Sequence, residues 1–304
     1  MYHVFKEQLQ QIITQGTIRF DEPMSKHTSF AIGGPADIFI EPADVEEIRS
    51  VCDLLRREHI PYVIIGNGSN LLVADEGIRG VVIHLGKDFS EITVKDRILE
   101  IQAGASLARV ARIALQESLT GFEFAAGIPG SFGGAVCMNA GAYGGEMKDI
   151  LLDADLLTPQ GQILTLTAEE LELSYRHSII FEKDYIVLSA RIRLTPGDPS
   201  GIRERMEELA QARKEKQPLE YPSAGSTFKR PEGYFAGKLI QDAGLKGYTV
   251  GGAMVSEKHA GFVINHGGAT AEEVRFLIHQ VQKKIKAQFG VSMETEVRFI
   301  GFND

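Results

Sequence analysis

Seven glycines occur within nineteen residues, in the segment GIPGSFGGAVCMNAGAYGG at 127–145, and this density limits what the segment can form. Glycine lacks a Cβ atom, so its backbone can lie close to other atoms and can adopt positive φ. Apolar residues such as Ile128, Phe132, Val136 and Met138 stand among the glycines, which is unusual for a solvent-exposed linker. We expect a tightly folded backbone pressed against a flat, charged ligand. A packed glycine-rich bend is the alternative.

A second glycine-containing segment, GNGSNLL at 66–72, directly follows the apolar sequence PYVII. A turn of this composition presents successive backbone N–H groups to an anion. The side chains of Ser69 and Asn70 can add further donors. The segment therefore predicts a phosphate-binding loop after a strand, and a plain β-turn built on the Asn-Gly dipeptide is the alternative.

Neither segment fits the common nucleotide-binding motifs. The pattern G-x-G-x-x-G fails at 66–71 because Leu71 stands where the third glycine belongs. The Walker pattern fails because Asp88 follows Gly86-Lys87 at the position that requires Ser or Thr. A phosphate group must therefore be bound in another way.

Charge and composition exclude several other classes of protein. The net charge is −9, from 41 acidic and 32 basic residues, and does not predict a broad basic surface that would bind nucleic acid. No apolar run is long enough to predict a membrane span, and the N-terminal sequence lacks the apolar core of a signal peptide. Cys52 and Cys137 form no Cys/His cluster, so no metal site is expected. We expect a cytoplasmic protein with neither nucleic acid nor membrane as partner.

Hydrophobic periodicity and turn signals predict a mixed α and β chain. Helices are predicted at 4–15, 44–58, 106–118, 202–216 and 271–289, and strands at 61–66, 71–74, 80–85, 98–104, 151–157, 162–167, 185–194 and 296–300. The sequence TPGDPSG at 195–201 has two prolines and two glycines and predicts a domain boundary. We expect domains at 1–197 and 198–304.

Several motifs, taken together, are similar to those of one flavoprotein family. The segments GNGSNLLV and GIPGSFGGAVCMNAGAYG resemble the fold of the p-cresol methylhydroxylase and vanillyl-alcohol oxidase type. Four more narrow the resemblance to the UDP-N-acetylenolpyruvoylglucosamine reductases: HTSFAIGGPAD, SYRHS, SAGSTFKRP and the closing GFVINHGG…METEVRFIG. The resemblance runs from residue 20 to the end of the chain, in the order of the family's motifs.

The resemblance implies an α+β fold and a flavin cofactor. A two-part FAD-binding module of the p-cresol methylhydroxylase type, with an N-terminal helix and two α+β subdomains, would occupy 1–197. A smaller α+β substrate-binding domain would occupy 198–304. The implied cofactors are noncovalent FAD and NADPH as hydride donor. The implied FAD contacts are Gly66, Asn67, Gly68, Ser69, Asn70, Gly127, Ile128, Pro129, Gly130, Ser131, Gly133, Gly134, Asn139, Ala140, Gly141 and Gly144.

The family's reaction assigns roles to three residues. Hydride passes from NADPH to FAD and then to C3 of an enolpyruvyl ether on UDP-N-acetylglucosamine, and a proton is added at C2. Ser226 matches the proton donor, and Arg176 and Glu296 match the groups that polarise the substrate carboxylate. Taken alone, Ser226 would cap a turn, Arg176 would form a salt bridge, and Glu296 would be a surface charge on an edge strand. Glu294, two residues earlier, could be confused with Glu296.

Two further positions are implied as substrate contacts, Tyr175 and Lys216, although a helix-end lysine is also typical of a solvated cap. The sequence departs from part of the family at Arg230, where Asn is found, so the contact made by that Asn cannot be carried over. The region 178–200 is short and predicts the family's shorter branch, with a more open substrate cleft.

Two other functions remain as alternatives. One is a flavin oxidase or dehydrogenase of the same superfamily that acts on another substrate, and the other is a non-catalytic protein that binds flavin or a UDP-sugar. The SAGSTF and EVRFIG motifs argue against the first, and the presence of Arg176, Ser226 and Glu296 argues against the second. We expect a monomer whose partners are small-molecule substrates.

Overall fold

The computed structural model describes residues 2–302, with side chains described from residue 5 onward. Met1, Asn303 and Asp304, which begin and end the predicted domains, lie outside the described residues. The α-helices are α1 (Tyr2–Ile12), α2 (Val45–Arg57), α3 (Leu107–Gln116), α4 (Phe132–Cys137), α5 (Ile179–Glu182), α6 (Pro199–Lys216), α7 (Ala236–Asp242) and α8 (Ala271–Phe289).

Strands occur along the whole chain and are mostly short. They are β1 (Thr17–Pro23), β2 (Pro35–Glu41), β3 (Tyr62–Ile65), β4 (Leu71–Val73), β5 (Ile78–His84), β6 (Ile92–Lys95), β7 (Ile98–Gln102), β8 (Leu119–Thr120), β9 (Gly141–Ala142), β10 (Gly145–Glu146), β11 (Leu151–Leu157), β12 (Ile163–Thr167), β13 (Ile186–Arg193), β14 (Thr195–Pro196), β15 (Thr249–Val250), β16 (Ala253–Val255), β17 (Val263–Asn265) and β18 (Arg298–Ile300).

The helices predicted from periodicity are confirmed. Helices α2, α3 and α8 begin after Asp44, Ser106 and Thr270. Each of these side chains accepts a hydrogen bond from the backbone N–H of the residue three positions later in the chain. Such a cap satisfies one of the donors that the first helical turn leaves without a partner. Helix α6 begins at Pro199 rather than at residue 202. Proline is favourable there because the first helical N–H has no partner within the helix.

The sequence did not predict helices α4, α5 and α7 or strands β1, β2, β6, β8–β10 and β14–β17. Helix α4 contains Gly133 and Gly134, which are poor helix formers, so local propensity argues against it. The last predicted strand is also shorter than 296–300, because regular pairing begins only at Arg298. The backbone N–H of Glu296 instead donates to the Thr227 carbonyl, 2.9 Å away.

The strands form two larger sheets and several small ones. One sheet has the order β1-β2-β5-β3, and another has the order β12-β11-β13-β7-β6. Strands β3 and β5 are parallel, with Ile65 opposite His84, so the carboxyl end of β3 leads directly into the segment at 66–72. Strand β18 pairs in parallel with β4, with Arg298 opposite Leu71.

The chain divides into two compact units, each with its own core. The first contains the described residues up to Phe20, Ile38–Asn67 and Gly80–Gln211. The second contains Asp21–Asp37, Gly68–Arg79 and the described residues from Ala212 onward. The division at residue 197, made from the sequence, stays a prediction.

The second unit is built around α8. One face of this helix, made of Val274, Leu277, Ile278, Val281 and Ile285, is fully buried in the core of that unit. The Asp75 carboxylate accepts hydrogen bonds from the backbone N–H groups at the start of α8, at 2.8 and 3.0 Å. A carboxylate at this end also interacts favourably with the helix dipole.

In the first unit, the buried carboxylate of Glu47 holds the turn that follows α1. It accepts hydrogen bonds from the backbone N–H groups of Thr14, Gln15, Gly16 and Ala43, at 2.7 to 3.3 Å. Burial alone would raise the pKa of this carboxyl, but the four N–H donors outweigh it and the pKa is lowered below 4.5. The ionised form of Glu47 therefore stabilises the folded chain.

We expect Glu47→Gln to reduce the free energy of unfolding by about 1–3 kcal/mol, because buried N–H groups lose a charged acceptor. The native pKa is depressed, so the contribution is present above the unfolded value of 4.5 and is lost as the pH falls through the native value. Urea denaturation at pH 7 and at decreasing pH measures this difference. Glu46→Gln, the same change at an exposed position of the same helical turn, is the control. An equal loss in both variants would contradict the assignment.

Candidate active site

The glycine-rich segment of the first unit is held by backbone hydrogen bonds to the turn before α3. Phe132 N donates to Ala105 O and Gly133 N to Ala103 O, each at 2.8 Å, and Leu107 N donates to Gly130 O at 3.1 Å. A Cβ atom at Gly133 would lie 2.7 Å from that of Ala103. The predicted tightly folded backbone is thus confirmed. Part of its glycine content is explained by close packing within the protein.

Two predicted phosphate segments meet at Gly66 and Ser131. A Cβ atom on Gly66 would lie 1.9 Å from Ser131 Oγ, far inside van der Waals contact. Ser131 is buried and is the N-cap of α4. Glycine at position 66 is therefore required by the side chain that begins α4.

The end of the glycine-rich segment is a β-hairpin. Strands β9 and β10 pair with Gly141 opposite Glu146, and Tyr143 and Gly144 form the two-residue connection, with φ of 52° and 89°. Positive φ at both positions is typical of the tight turns that match strand twist. Gly144 therefore serves the turn, and Tyr143 is exposed at its tip.

Asn139 uses its side chain within the protein. Its Nδ2 donates to Glu146 Oε2 at 2.6 Å and to Ser174 O at 3.1 Å, and its Oδ1 accepts from Lys148 N at 2.9 Å. The side chain is almost completely buried. Asn139 was predicted to contact FAD, but its side chain anchors the surrounding backbone instead. Both N–H donors of its amide group are used within the protein, so none is left for a ligand.

Arg176 lies in a tight turn that is fixed to the glycine-rich segment. Ser174 and His177 exchange backbone hydrogen bonds of 3.1 and 3.2 Å across the turn. Two more hydrogen bonds join the turn to the glycine-rich segment. Asn139 donates to Ser174 O, as described above, and Ser178 Oγ donates to Cys137 O at 2.7 Å. Arg176 has a φ of 55°, a left-handed conformation that costs energy for residues other than glycine. Both ends of the turn are held by hydrogen bonds to the glycine-rich segment.

Tyr175, in the same turn, is 53% exposed. Its ring lies under the guanidinium of Arg176, with 5.5 Å between Arg176 Cζ and the ring centroid. The two side chains predicted to contact substrate are thus adjacent. An aromatic face at this distance can restrict the guanidinium by a cation–π interaction.

In the second unit, residues 68–70 form a loop held at both ends. Ser29 N donates to Gly68 O at 3.2 Å. Asn70 Nδ2 donates to Glu296 O at 2.9 Å, and Asn70 O accepts from Arg298 N at 3.0 Å. A Cβ atom on Gly68 would lie 2.0 Å from His27 O. The motif HTSF therefore supports this loop, which the sequence did not reveal.

Ser226 precedes Thr227, whose backbone N–H, backbone carbonyl and side-chain hydroxyl all form hydrogen bonds. Thr227 is fully buried, its N donates to Gly261 O, and its Oγ1 accepts from Val263 N, each at 2.9 Å. The carbonyl of Thr227 accepts from Glu296 N at 2.9 Å. The backbone thus places Ser226 and Glu296, predicted from separate motifs, on neighbouring segments.

The structure distinguishes Glu296 from Glu294. The Glu294 side chain is 76% exposed and pairs with Lys229 at 3.0 Å, whereas Glu296 is half-buried beside Thr227. The Glu294 carboxylate is thus exposed to solvent and paired with a lysine. The two carboxylates therefore differ in exposure, and Glu296 is the more buried of the two.

His259 supports the Ser226 segment from the other side. Its Nδ1 accepts the N–H of Gly261 at 3.1 Å, and the carbonyl of Gly261 accepts from Thr227. Burial lowers the pKa of His259, and the positive charge of Lys246 lowers it further. The neutral imidazole, with Nδ1 as acceptor, is therefore the form that holds Gly261.

Lys216 is exposed at the last position of α6. The nearby Lys214 carbonyl accepts from Lys258 Nζ at 2.7 Å, which fixes the end of the helix. The side chain of Lys216 is thus available to an anionic ligand in solvent.

The residues present in each loop fit a phosphate group of a flavin dinucleotide, because each loop, taken by itself, offers backbone donors. Among the described residues, the backbone N–H groups of 67–70 donate to no protein acceptor, and neither do those of Gly130 and Ser131. Successive backbone N–H groups without an internal acceptor are the donors that anion-binding loops use. The segments that were predicted as phosphate loops therefore carry the required donors.

Residues 2–302 also lack two features that would indicate other classes of protein. No helix there has both the length and the apolar character needed to cross a membrane. In the same part of the chain, no group of three or more His, Cys, Asp or Glu side chains is arranged to hold a metal ion.

Comparisons with known proteins agree with this architecture. Residues 36–167 match the FAD binding domain family. A Phl p 4 variant described as a glucose oxidase shares the fold of 64% of this chain and 44% of its own, at 15% identity and a TM-score of 0.51. The predicted α+β fold with an FAD-binding module is confirmed, and the chain is an FAD-binding protein.

The C-terminal part and the full-length relatives define the family. Residues 217–300 match the family described as UDP-N-acetylenolpyruvoylglucosamine reductase, C-terminal domain. A reductase of that name from Agathobacter rectalis is 56% identical, over 99% of both chains. The crystal structure of the enzyme from Thermus caldophilus is 35% identical with a TM-score of 0.80, covering 94% of this chain and 99% of its own. The chain belongs to the UDP-N-acetylenolpyruvoylglucosamine reductase family.

We expect Gly66→Ala to weaken FAD binding, because a methyl group would displace the buried Ser131 hydroxyl. Overpacking of this kind costs about 1–3 kcal/mol. Where this cost falls on the flavin-bound conformation, it corresponds to a loss of affinity of about 5- to 150-fold. Flavin fluorescence during titration of the apoprotein measures the affinity. Gly201→Ala is the control, since its Cβ would make only an ordinary 3.6 Å contact with Asp198. Unchanged affinity in the Gly66 variant would contradict the packing argument.

Proposed function

We propose that this enzyme reduces UDP-N-acetylglucosamine enolpyruvate to UDP-N-acetylmuramate, with NADPH as the hydride donor, in cytoplasmic peptidoglycan synthesis. The protein would act as a monomer on small-molecule substrates. The observation that carries the proposal is the hydrogen bond between Thr227 O and Glu296 N. It joins the two motifs that supply the implied proton donor, Ser226, and the implied carboxylate-polarising residue, Glu296.

We assign the two parts of the chain to different ligands. Residues 1–197 would hold FAD, with phosphate contacts from the loops at 66–70 and 127–131. Residues 198–304 would bind the substrate. The unpaired N–H groups of 67–70, Gly130 and Ser131 within the described residues support the first assignment.

The reaction adds hydride to C3 and a proton to C2 of the enolpyruvyl group. FAD, when bound, supplies the redox chemistry, accepting hydride from NADPH and giving it to the substrate. Addition at C3 leaves negative charge at C2, conjugated with the substrate carboxylate. In our proposal, Ser226 Oγ donates its proton to C2. A serine hydroxyl is a weak acid, but an enolate is basic enough to accept its proton.

Arg176 would bind the substrate carboxylate and stabilise the charge that spreads onto it. A guanidinium can hold a carboxylate through two parallel hydrogen bonds and stays charged at physiological pH. The strained turn of Arg176, held by Asn139 and Ser178, supports this role because a preorganised donor needs little rearrangement during reaction. Tyr175 would restrict the guanidinium from its other face.

Glu296 would donate a hydrogen bond to the enolic oxygens from its protonated form, since an ionised carboxylate would repel them. Its half-buried position supports this role. Lys216 would contact the diphosphate of the UDP group from the end of α6. Arg176 and Glu296 would thus stabilise the substrate's charge, and Lys216 would bind its diphosphate.

The first test is an anaerobic absorbance titration of the purified holoenzyme. We expect the flavin bands to bleach on addition of NADPH and to return on addition of UDP-N-acetylglucosamine enolpyruvate. Bleaching without recovery would favour a flavin oxidase or dehydrogenase that acts on another substrate. Flavin bands that NADPH does not bleach would favour a non-catalytic flavin-binding protein.

The second test addresses the proton donor. Ser226→Ala should leave flavin reduction by NADPH intact and slow reoxidation by the substrate about 10²- to 10⁴-fold, the usual effect of one acid–base group. Stopped-flow absorbance separates the two half-reactions. Ser226→Cys retains an ionisable proton and should recover part of the rate, and the exposed Ser292→Ala is the control. A parallel fall in both half-reactions would refute the role of Ser226.

A further inference from the structure

Ser29 connects the loop at 68–70 to the segment that carries Ser226. Its backbone N donates to Gly68 O at 3.2 Å, and its carbonyl accepts from Ser223 N at 3.1 Å. Its side-chain Oγ donates to Ser223 O at 2.6 Å. Ser29 therefore makes one hydrogen bond to the loop and two to the start of the sequence SAGSTF.

The same two segments are also connected through Glu296. Asn70 Nδ2 donates to Glu296 O at 2.9 Å, and Glu296 N donates to Thr227 O at 2.9 Å. The hydrogen bonds thus form a closed ring, running from Gly68 through Ser29 to Ser223, along the chain to Thr227, and back through Glu296 to Asn70. Ser226 lies within the part of the ring between Ser223 and Thr227.

The arrangement gives Ser226 little support of its own. Gly225 has a φ of 74°, and a Cβ atom there would have no neighbour within 4 Å. On the N-terminal side of Ser226, Ser223 is bonded to Ser29, Ala224 is buried, and Pro222 O accepts from Asn265 N at 2.9 Å. On the C-terminal side, the fixed point is Thr227. Thr227 is fully buried, whereas Ser29 and Ser223 are only half-buried. The Ser29 contact is thus more exposed than the contacts of Thr227.

We propose that Ser29 is a positioning residue, whose hydroxyl holds the Ser226 segment in register with the loop at 68–70. The proposal rests on the proposed function, because it concerns the proton donor of that reaction. Loss of the hydroxyl removes one of the two hydrogen bonds to Ser223 and leaves its carbonyl without that donor. The Ser226 hydroxyl then samples positions from which proton transfer is slow.

The effect should be confined to one half of the reaction. In Ser29→Ala we expect reoxidation of the reduced flavin by the enolpyruvyl substrate to slow about 10- to 100-fold, as displacement of a reacting group by about 1 Å does. Reduction by NADPH should stay within about twofold of the wild-type rate, because it does not require Ser226. In steady state, kcat should fall more than KM changes.

Two variants separate positioning from simple destabilisation. Ser29→Thr keeps the hydroxyl and should restore at least half of the lost reoxidation rate. Thr28→Val removes a neighbouring buried hydroxyl that bonds to Ile32 O at 2.8 Å and touches neither Gly68 nor Ser223 through that group. It should lower the melting temperature and leave the ratio of the two half-reaction rates unchanged.

Stopped-flow absorbance on the holoenzymes decides between the outcomes. Selective slowing of reoxidation in Ser29→Ala, with recovery in Ser29→Thr, supports the proposal. Equal slowing of both half-reactions, no slowing, or the same selective loss in Thr28→Val overturns it. Wild-type enzyme whose flavin is not reoxidised by the enolpyruvyl substrate would instead refute the proposed function, so the two failures are distinguishable.

Discussion

Thr227 holds three segments of the second unit together through its own hydrogen bonds. Its N–H reaches Gly261, its hydroxyl accepts from Val263, and its carbonyl accepts from Glu296. Because the side chain is fully buried, each lost partner would leave a polar group without solvent. The relative positions of Ser226 and Glu296 follow from these bonds. A single buried hydroxyl residue thus fixes the backbone on which the proposed proton transfer depends.

In the first unit, the backbone of the glycine-rich loops is fixed by close packing against neighbouring atoms of the protein. Gly66 and Gly133 leave no room for a Cβ atom against Ser131 and Ala103, and the N–H groups of Phe132 and Gly133 are used inside the protein. The donors that remain belong to residues on either side of these contacts. In the first unit, the N–H groups of Asn67, Gly130 and Ser131 are next in sequence to these close contacts, so little ordering of this backbone is required when a ligand binds.

Sequence patterns predicted the capped, amphipathic helices α2, α3 and α8 because their caps and apolar faces are local signals. They missed α4, where Gly133 and Gly134 argue against a helix and tertiary hydrogen bonds override propensity. The motifs indicated Arg176, Ser226 and Glu296 one by one. Their supports could not be predicted, because Asn139, Ser29 and His259 act through contacts between segments distant in sequence. Whether the implied FAD and substrate contacts are made remains a prediction.

The pairing of β18 with β4 has a consequence for the order in which the protein is completed during synthesis. Asn70 and Glu296 are 226 residues apart, so the loop at 68–70 is made early and gains this support only when nearly the whole chain has left the ribosome. Contacts of such long sequence separation form late in folding. The nascent chain cannot assemble this part of the site, and the support appears only in the finished polypeptide.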